Sequence, residues 1–291
     1  MAMLLGLANG NVPRNPEGFS ADLIEGWARQ GIRCLATSFA QPHEVVKAAA
    51  PRLRERLADS GIHVAQYAGV NANFVHTDPE VRRAGRESVR VAIGAAHALG
   101  ATMISSGCGT NSDDYVANFY APHPLNYSVA ARDRLVAELR EIAPIVEDAG
   151  LLYTIECHQL SVMRSPEVIR DVLDEVDSPV VVANFDPVNL LDSAVAVFDN
   201  ARRMQEMADV VGPRYGPSCH IKDVLLSTDF VCRIIEVPPG DGVLDYPAFF
   251  EAASRLPGPT PLIVEHLDPS RSIEGIRYVR ESALACGVEL L

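Results

Sequence analysis

The chain has 291 residues, 48% of them hydrophobic and 22% charged, and it carries 25 lysines and arginines against 38 aspartates and glutamates. The resulting net charge of −13 leaves little of the basic surface that nucleic acids and anionic membranes require, so we expect neither partner. No apolar run approaches the roughly 18 residues of a membrane-spanning helix, and no basic leader precedes the first apolar run. We therefore expect a cytoplasmic protein.

Apolar runs rich in β-branched residues alternate with amphipathic stretches along the chain, and the alternation repeats eight times. In chain order, the predicted strands are 3–8, 32–39, 63–70, 102–108, 151–158, 180–187, 218–224 and 262–267. Strands separated by helices form a parallel sheet, and eight such units close into a barrel. Because such a barrel commonly uses about 250 residues, we predict one (β/α)8 TIM barrel domain over residues 1–291.

Residues typical of helix ends occur where the predicted helices begin and end. Ser20 or Asp22 can cap the first helix, and Pro79 stands just inside the third. Glycines occur where helices are expected to end, at Gly31, Gly61, Gly100 and Gly150. Two connections, 109–127 and 225–245, are longer than the others, and the second is predicted to contain an extra hairpin. Both directly follow strands, so they belong to the face where barrel enzymes build their active sites.

Side chains on a barrel strand point alternately into the lumen and toward the helix layer. A polar residue at a lumen-facing position (lumen parity) near the carboxyl end of a strand therefore points into the site. The fifth to the eighth predicted strands each supply one: Glu156, Asp186, His220 and Glu265. Three carboxylates at one depth repel one another, and a divalent cation is the simplest way to neutralise them. Three oxygen ligands and one imidazole favour Mn²⁺, with Mg²⁺, Co²⁺ or Zn²⁺ as alternatives. The competing interpretation is four unrelated polar residues at strand ends.

Short motifs at the carboxyl ends of the later strands match a known family. They are Glu-Cys-His at 156–158, Asn-Phe-Asp-Pro-Val-Asn at 184–189, His-Ile-Lys-Asp at 220–223, Pro-Gly-Asp-Gly at 239–242 and Val-Glu at 264–265. Together they resemble the sugar phosphate isomerase/epimerase family of xylose isomerase-like TIM barrels, which includes ketose 3-epimerases, hydroxypyruvate isomerase and inosose dehydratase. The resemblance implies that the same Glu, Asp, His and Glu hold one divalent metal.

The resemblance and the ligand set together predict a metal-dependent isomerase or epimerase of a small sugar or polyhydroxy carbonyl compound. A metal that chelates a carbonyl oxygen and the adjacent hydroxyl acidifies the C–H bond between them and stabilises an enediolate. Glu156 and Glu265 are the candidates for removing and returning the proton, and the family's epimerases use the corresponding glutamates. A lyase or dehydratase of a keto-sugar or keto-inositol is the alternative enzyme. A sugar-binding protein without catalysis is the alternative outside enzymes.

Six further residues are predicted to bind the substrate: His158, Asn189, Lys222, Tyr120, His123 and Asn126. His158 and Lys222 share the lumen parity of the ligands, although His158 could instead orient a ligand and Lys222 could pair with a site carboxylate. Three of the six, Tyr120, His123 and Asn126, lie in the long connection after the fourth strand, where similar segments of the family cover the site. A purely structural loop held by its prolines is the competing interpretation.

Asn189 distinguishes this chain from one relative on the same barrel. Endonuclease IV uses a trinuclear zinc cluster with additional histidines, and one of them lies three residues after the aspartate of the sixth strand, where this chain has Asn189. The missing histidine and the net charge of −13 argue against DNA repair. Since barrels of this family often pair, the resemblance also suggests a homodimer or homotetramer.

Overall fold

A computed structural model describes residues 2–8, 10–41, 43–68, 70–266 and 270–291. The strands are β1 (Ala2–Leu7), β2 (Cys34–Thr37), β3 (His63–Tyr67), β4 (Met103–Gly107), β5 (Leu152–Glu156), β6 (Val181–Phe185), β7 (Tyr215–Ile221), β8 (Asp223–Leu226), β9 (Ile234–Val237), β10 (Thr260–Val264) and β11 (Glu289–Leu290). The helices are α1 (Ala21–Arg29), α2 (His43–Asp59), α3 (Pro79–Leu99), α4 (Val129–Asp148), α5 (Pro166–Val176), α6 (Ala194–Phe198), α7 (Asn200–Val211), α8 (Tyr246–Ala253) and α9 (Ser272–Ala285).

The parallel strands close into a barrel of eight. Strands β1 to β6 each pair with the next strand along the chain, and β10 pairs with both β7 and β1. The short strand β11 adds to the start of β1 through Ala2 and Met3, at the closed face of the barrel. Strands β8 and β9 form a separate antiparallel hairpin at the opposite face. The predicted (β/α)8 barrel is therefore confirmed.

Each predicted strand corresponds to a strand of the barrel, but several boundaries differ. The seventh begins earlier than predicted and ends at Ile221, because the chain turns at Lys222 into the first strand of the hairpin. The predicted hairpin in 225–245 is present, and it already begins at Asp223. The eighth predicted strand ends in the structure at Val264, and its predicted last residue, 267, lies outside the described residues.

Helix ends follow the residue types that the sequence places there. The Ser20 side chain, and not Asp22, accepts the hydrogen bond from Leu23 N that caps α1. Asp78 caps α3, and Pro79 occupies its first turn. Gly100 ends α3 at a φ of 73°, a left-handed conformation that glycine adopts without steric cost. Within the described part of the chain, none of the helices combines the length and hydrophobicity that a bilayer crossing requires.

The core has two parts, one between the strands and the helices and one inside the barrel. The inner cluster consists of buried residues with mostly small side chains, namely Ala8, Cys34, Ala36, Ala65, Met103 and Ile263. Small side chains from β1, β2 and β3 leave room in the lumen for longer side chains that approach from the other strands. The lumen is thus apolar at the closed face and polar at the open face, where the strands carry charged residues.

Phe249 on α8 tests the part of the core between the strands and the helices. Its fully buried ring lies 5.7 Å from the ring centroid of Phe185 and 5.5 Å from that of Phe250. We expect Phe249→Ala to lower the free energy of unfolding by about 3–5 kcal/mol, since it removes a buried ring and leaves a cavity. Urea denaturation measures the change. The matched control is Phe198→Ala on α6, where the side chain is 76% exposed and the expected change stays within about 0.5 kcal/mol. Equal effects of both substitutions would contradict the packing described.

Candidate metal centre and active site

Four predicted ligands meet at the open face of the barrel. Glu156 ends β5, His220 lies near the end of β7, and Asp186 and Glu265 directly follow β6 and β10. One ligand atom from each residue lies within 4.8 Å of the ligand atoms of the others. Asp186, His220 and Glu265 are buried, and Glu156 is partly exposed. The alternation of side chains along four consecutive barrel strands therefore brings these groups to one point, as the sequence predicts.

The positively charged side chain of Lys222, which directly follows β7, lies among the carboxylates. The Lys222 ammonium is 1% exposed and donates hydrogen bonds to Asp186 Oδ2 at 2.8 Å and to Glu265 Oε1 at 2.5 Å. The Nδ1 atom of His220 lies 3.2 Å from Glu265 Oε2. Burial of carboxylates costs several kcal/mol each unless opposite charge lies close by, so this lysine and histidine are what the site needs in the absence of an ion.

The pKa values of the buried groups follow from these contacts. Burial raises the pKa of Asp186 to about 7, although the Lys222 ammonium opposes the shift. Burial also acts to raise the pKa of Glu265, but the charges of His220 and Lys222 together outweigh it and hold that pKa well below the usual range. Burial acts to lower the pKa of Lys222, and the carboxylates of Asp186 and Glu265 reverse this and raise it well above the usual value. Lys222 is therefore a charged ammonium at neutral pH.

Asn189 connects two of the carboxylates. Its side-chain amide donates to Asp186 Oδ2 at 2.7 Å and to Glu156 Oε1 at 3.1 Å. The residue lies in the short 3-10 turn Val188–Leu190 that follows β6. Asn189 thus orients two candidate ligands, and its predicted contact with substrate stays a prediction.

The donor set fits a divalent cation. Asp186 Oδ1 and His220 Nδ1 are buried and have no hydrogen-bond partner among the described residues. Both atoms belong to the four-residue cluster, and a free oxygen lone pair and a free imidazole nitrogen are what a metal ion binds. Three carboxylates and one imidazole suit Mn²⁺, Mg²⁺, Co²⁺ or Zn²⁺ and leave coordination positions for substrate oxygens.

The other nitrogen of His220 contacts a residue that the sequence analysis missed. Gln66 on β3 is fully buried, and its Oε1 lies 3.2 Å from His220 Nε2. The Gln66 amide also donates to Ser218 Oγ at 2.7 Å. A glutamine next to the buried apolar pair Val64 and Ala65 of β3 could have indicated this contact, because a buried amide needs polar partners.

Tyr120 and His158 pack together beside Glu156. Their ring centroids are 5.0 Å apart. Burial, and next the negative charge of Glu156, raise the pKa of the Tyr120 hydroxyl well above its usual value. Burial lowers the pKa of His158, with a smaller opposing effect of Glu156. The loop after β4 therefore does place Tyr120 next to the cluster, and His158 presents a neutral ring there at pH 7.

His123 and Asn126 lie in the same loop but are engaged within it. His123 Nδ1 accepts a hydrogen bond from Leu125 N and so caps the 3-10 turn Pro124–Tyr127. Asn126 is 1% exposed, and its side-chain amide donates to Thr110 Oγ1 and to the carbonyl of Leu160. Through these contacts, both residues stabilise the conformation of the loop. Their predicted contact with substrate stays a prediction.

The hairpin contributes a second residue that the sequence analysis missed. Glu236 on β9 accepts a hydrogen bond from His266 Nδ1 at 2.8 Å, and its other oxygen lies 3.9 Å from Lys222 Nζ. Asp223 holds the base of the hairpin, because its buried carboxylate accepts hydrogen bonds from Gly240 N, Leu244 N and the Tyr246 hydroxyl. The Pro-Gly-Asp-Gly motif of the sequence thus encloses Asp223, and the hairpin borders the cluster.

A cavity lies at the carboxyl ends of the first strands. It has a volume of about 290 Å³ and is bounded by Gly10, Val12, Arg14, Ala36, Thr37, Ser38 and Ala68. In the closed strand order, β1 and β2 stand opposite β5 and β6. A larger cavity of about 530 Å³ lies between α9 and β11 at the closed face, away from the cluster. The smaller cavity therefore shares the open face of the barrel with the cluster.

Comparison with known proteins gives the same architecture. A family model described as a xylose isomerase-like TIM barrel matches residues 25–283. The search of curated protein sequences gave no match. Among solved structures, D-psicose 3-epimerase in the presence of D-fructose is 15% identical, with 98% of this chain and 100% of that chain covered and a TM-score of 0.67.

Two further solved structures were determined with a metal. A xylose isomerase-like TIM barrel protein from Mycobacterium smegmatis in complex with magnesium is 18% identical, with 98% and 97% of the two chains covered and a TM-score of 0.68. The IOLI protein with a binding zinc atom is 15% identical, with 98% of each chain covered and a TM-score of 0.69. At these identities the likeness establishes the fold alone.

Removal of single ligands tests the metal centre. We expect the purified protein to bind about one Mn²⁺ per chain, and Asp186→Ala or His220→Ala to abolish that binding, because each removes one of four clustered ligands. Calorimetric titration after chelation measures it, and saturating metal at 100 times Kd should stabilise the native protein by about 2.7 kcal/mol. The control is Asp192→Ala, an exposed aspartate outside the cluster. Unchanged binding in the ligand variants would show that the ion binds elsewhere.

Gly107 on β4 tests the placement of Tyr120. A methyl group at Gly107 would overlap the Tyr120 hydroxyl, so we expect Gly107→Ala to move that ring out of the site while Mn²⁺ binding survives. Spectrophotometric titration should then show one more tyrosine that ionises near its ordinary pKa of about 10. Gly26→Ala is the control, since nothing lies within 4 Å of a methyl group there. An unchanged tyrosine titration in Gly107→Ala would contradict the contact.

Proposed function

Because the chain belongs to the xylose isomerase-like TIM barrel family, we propose that it is a metal-dependent isomerase or epimerase of a small sugar or polyhydroxy carbonyl compound. The single observation that carries this proposal is the cluster of Glu156, Asp186, His220 and Glu265 within 4.8 Å at the open face of the barrel. We further propose Mn²⁺ as the ion, since oxygen ligands predominate in the cluster. The similar D-psicose 3-epimerase supports the choice of reaction, and the structures with magnesium and zinc support a divalent metal at the site.

The proposed reaction moves a proton between substrate carbon and a carboxylate. When bound, the cation supplies Lewis acidity, which acidifies the C–H bond next to a carbonyl group that it holds. Glu156 and Glu265 come from the fifth and eighth strands of the barrel, so they approach a substrate from two directions. The carboxylate that starts ionised takes the proton from carbon, and the other carboxylate, which enters the step carrying a proton from solvent, gives that proton to the opposite face of the carbon.

The two carboxylates have different partners, which suits different roles. Glu265 accepts a hydrogen bond from the Lys222 ammonium, whereas Glu156 accepts one from the neutral amide of Asn189. The charged donor holds Glu265 in its ionised form. We propose that Lys222 also donates a hydrogen bond to substrate oxygen, because an ammonium group can donate three hydrogen bonds and two are in use.

The electrostatics of His158 make this residue a weak acid for an elimination. A lyase or dehydratase needs an acid that protonates the leaving group, and His158 is the histidine that lies beside Glu156. Burial lowers the pKa of His158, so the ring is neutral at pH 7 and is a poor proton donor there. The packed ring of Tyr120 leaves His158 better suited to contact the substrate than to drive loss of water.

Replacement of each proton-transfer carboxylate tests the proposal. Glu156→Gln and Glu265→Gln keep an oxygen ligand and the side-chain shape but remove the basic carboxylate, so turnover of a ketose panel should fall by about 10²- to 10⁴-fold while substrate binding survives. The control is Glu167→Gln on the exposed first turn of α5, with turnover unchanged. Metal content is measured on the same samples, because loss of the ion would produce the same fall.

Solvent deuterium distinguishes the three interpretations. The wild-type protein with Mn²⁺ should exchange substrate C–H for deuterium with no loss of water or any other fragment, as seen by mass spectrometry. A stoichiometric released fragment would replace the isomerase by a lyase or dehydratase. Neither exchange nor release with any ketose or keto-polyol of the panel would favour a sugar-binding protein.

A further inference from the structure

Gln66 crosses the lumen of the barrel from β3 toward β7, the strand on the opposite side. In the closed strand order, four steps separate β3 from β7 in either direction. The side chain is fully buried, and the inner cluster beneath it is made largely of alanines such as Ala36 and Ala65. These small residues leave room for a long polar side chain to cross, and its end reaches the residues of β6 and β7 that face the lumen.

Each end of the Gln66 amide has a distinct partner. The Nε2 atom donates to Ser218 Oγ at 2.7 Å and lies 3.5 Å from Asn184 Oδ1. The Oε1 atom is left as an acceptor and lies 3.2 Å from His220 Nε2. An acceptor opposite Nε2 requires a proton on that nitrogen. With Asn184 in its present orientation, a turned-over Gln66 amide would place its oxygen against the oxygen of Asn184, which is unfavourable.

The proton on Nε2 determines what the other ring nitrogen can do. His220 Nδ1 lies 3.2 Å from Glu265 Oε2 and 3.8 Å from Asp186 Oδ2, among the candidate ligands. A neutral imidazole with Nε2 protonated has its lone pair on Nδ1, directed at the cluster. The reversed Gln66 amide would place a donor opposite Nε2 and move the ring proton to Nδ1, where it would block a cation.

We propose that Gln66 is a positioning residue for the metal centre: it selects the His220 tautomer, and holds the ring orientation, in which Nδ1 binds the cation. The inference rests on the proposed function, because it requires that the cluster binds a divalent metal. Histidines that bind metals commonly donate their other N–H to an oxygen acceptor, and loss of that acceptor typically weakens metal binding by about 10- to 100-fold. Here the acceptor is an amide carried by the strand farthest from β7.

Variants at Gln66 test the acceptor. Gln66→Met keeps the length of the side chain but removes the acceptor, and we expect Mn²⁺ to bind about 10- to 100-fold more weakly. Gln66→Glu keeps an oxygen opposite Nε2, so Mn²⁺ binding should return toward the wild-type affinity. The matched control is Thr154→Val on β5, which removes a buried hydrogen bond from Thr154 Oγ1 to the carbonyl of Ile104 without contact to His220. Calorimetric titration of chelator-treated protein gives Kd in each case.

The tautomer is read directly by nitrogen NMR of the histidine rings in protein loaded with diamagnetic Zn²⁺. In the wild-type protein we expect His220 to carry its proton on Nε2 and to bind zinc through Nδ1. Zinc ligation through Nε2 would overturn the inference, and this measurement needs no variant to fold. In Gln66→Met, the chemical shift of the Nε2 proton should lose the downfield contribution that its hydrogen bond to Gln66 makes.

The possible failures can be told apart. Wild-type protein that binds Mn²⁺ together with a Gln66→Met variant of equal affinity would overturn the role of Gln66 and leave the proposed function intact. Wild-type protein that binds neither Mn²⁺ nor Zn²⁺ would overturn both. Thermal unfolding curves of each variant with and without metal separate loss of the metal site from loss of the fold, because a specific role makes the stabilisation by metal smaller in Gln66→Met than in the wild-type protein.

Discussion

Negative charge buried at the end of a closed barrel must be balanced by positive charge in the same place. Asp186 and Glu265 are each no more than about 3% exposed, and with Glu156 they form a group of carboxylates that water can screen only in part. The ammonium of Lys222 and the ring of His220 lie among them. This arrangement offsets part of the negative charge and leaves Asp186 Oδ1 and His220 Nδ1 without hydrogen-bond partners among the described residues, as atoms that a divalent cation can bind.

The ligands of the cluster come from the later strands, whereas small lumen residues come from the first ones. Strands β1 to β3 contribute alanines to the lumen, and the cavity at their carboxyl ends is the open volume near the site. The ligands stand on the other half of the mouth, on β5 to β10. A substrate in the cavity would therefore lie between a small apolar floor and a charged wall, which is typical of sites that fix a polar molecule by a few directed contacts.

The loop after β4 and the hairpin after β7 enclose this wall from two sides. The loop is held from within by Asn126, whose buried amide contacts Thr110 and the carbonyl of Leu160. The hairpin is held by the buried carboxylate of Asp223. Both segments carry their functional candidates, Tyr120 and Glu236, and are held by hydrogen bonds from buried side chains. Such contacts favour side chains that keep close to their working geometry.

The sequence by itself was enough to predict the barrel and the convergence of Glu156, Asp186, His220 and Glu265. Strand alternation has a period of two and depends only on local order along the chain, so the parity of a residue near a strand end can be counted without coordinates. The number of strand and helix units likewise determines that the sheet closes. Position along each strand then predicts the depth at which the polar groups meet.

Only the tertiary structure decided which groups touch across the barrel and within the loops. The contact of Gln66 with His220 joins residues 154 positions apart, and it exists because closure brings β3 opposite β7. The contact of Glu236 with His266 depends on how the hairpin folds back over the mouth, and His123 turned out to cap its own loop. Such contacts depend on packing across space, which the local pattern of residues along one strand or loop does not encode.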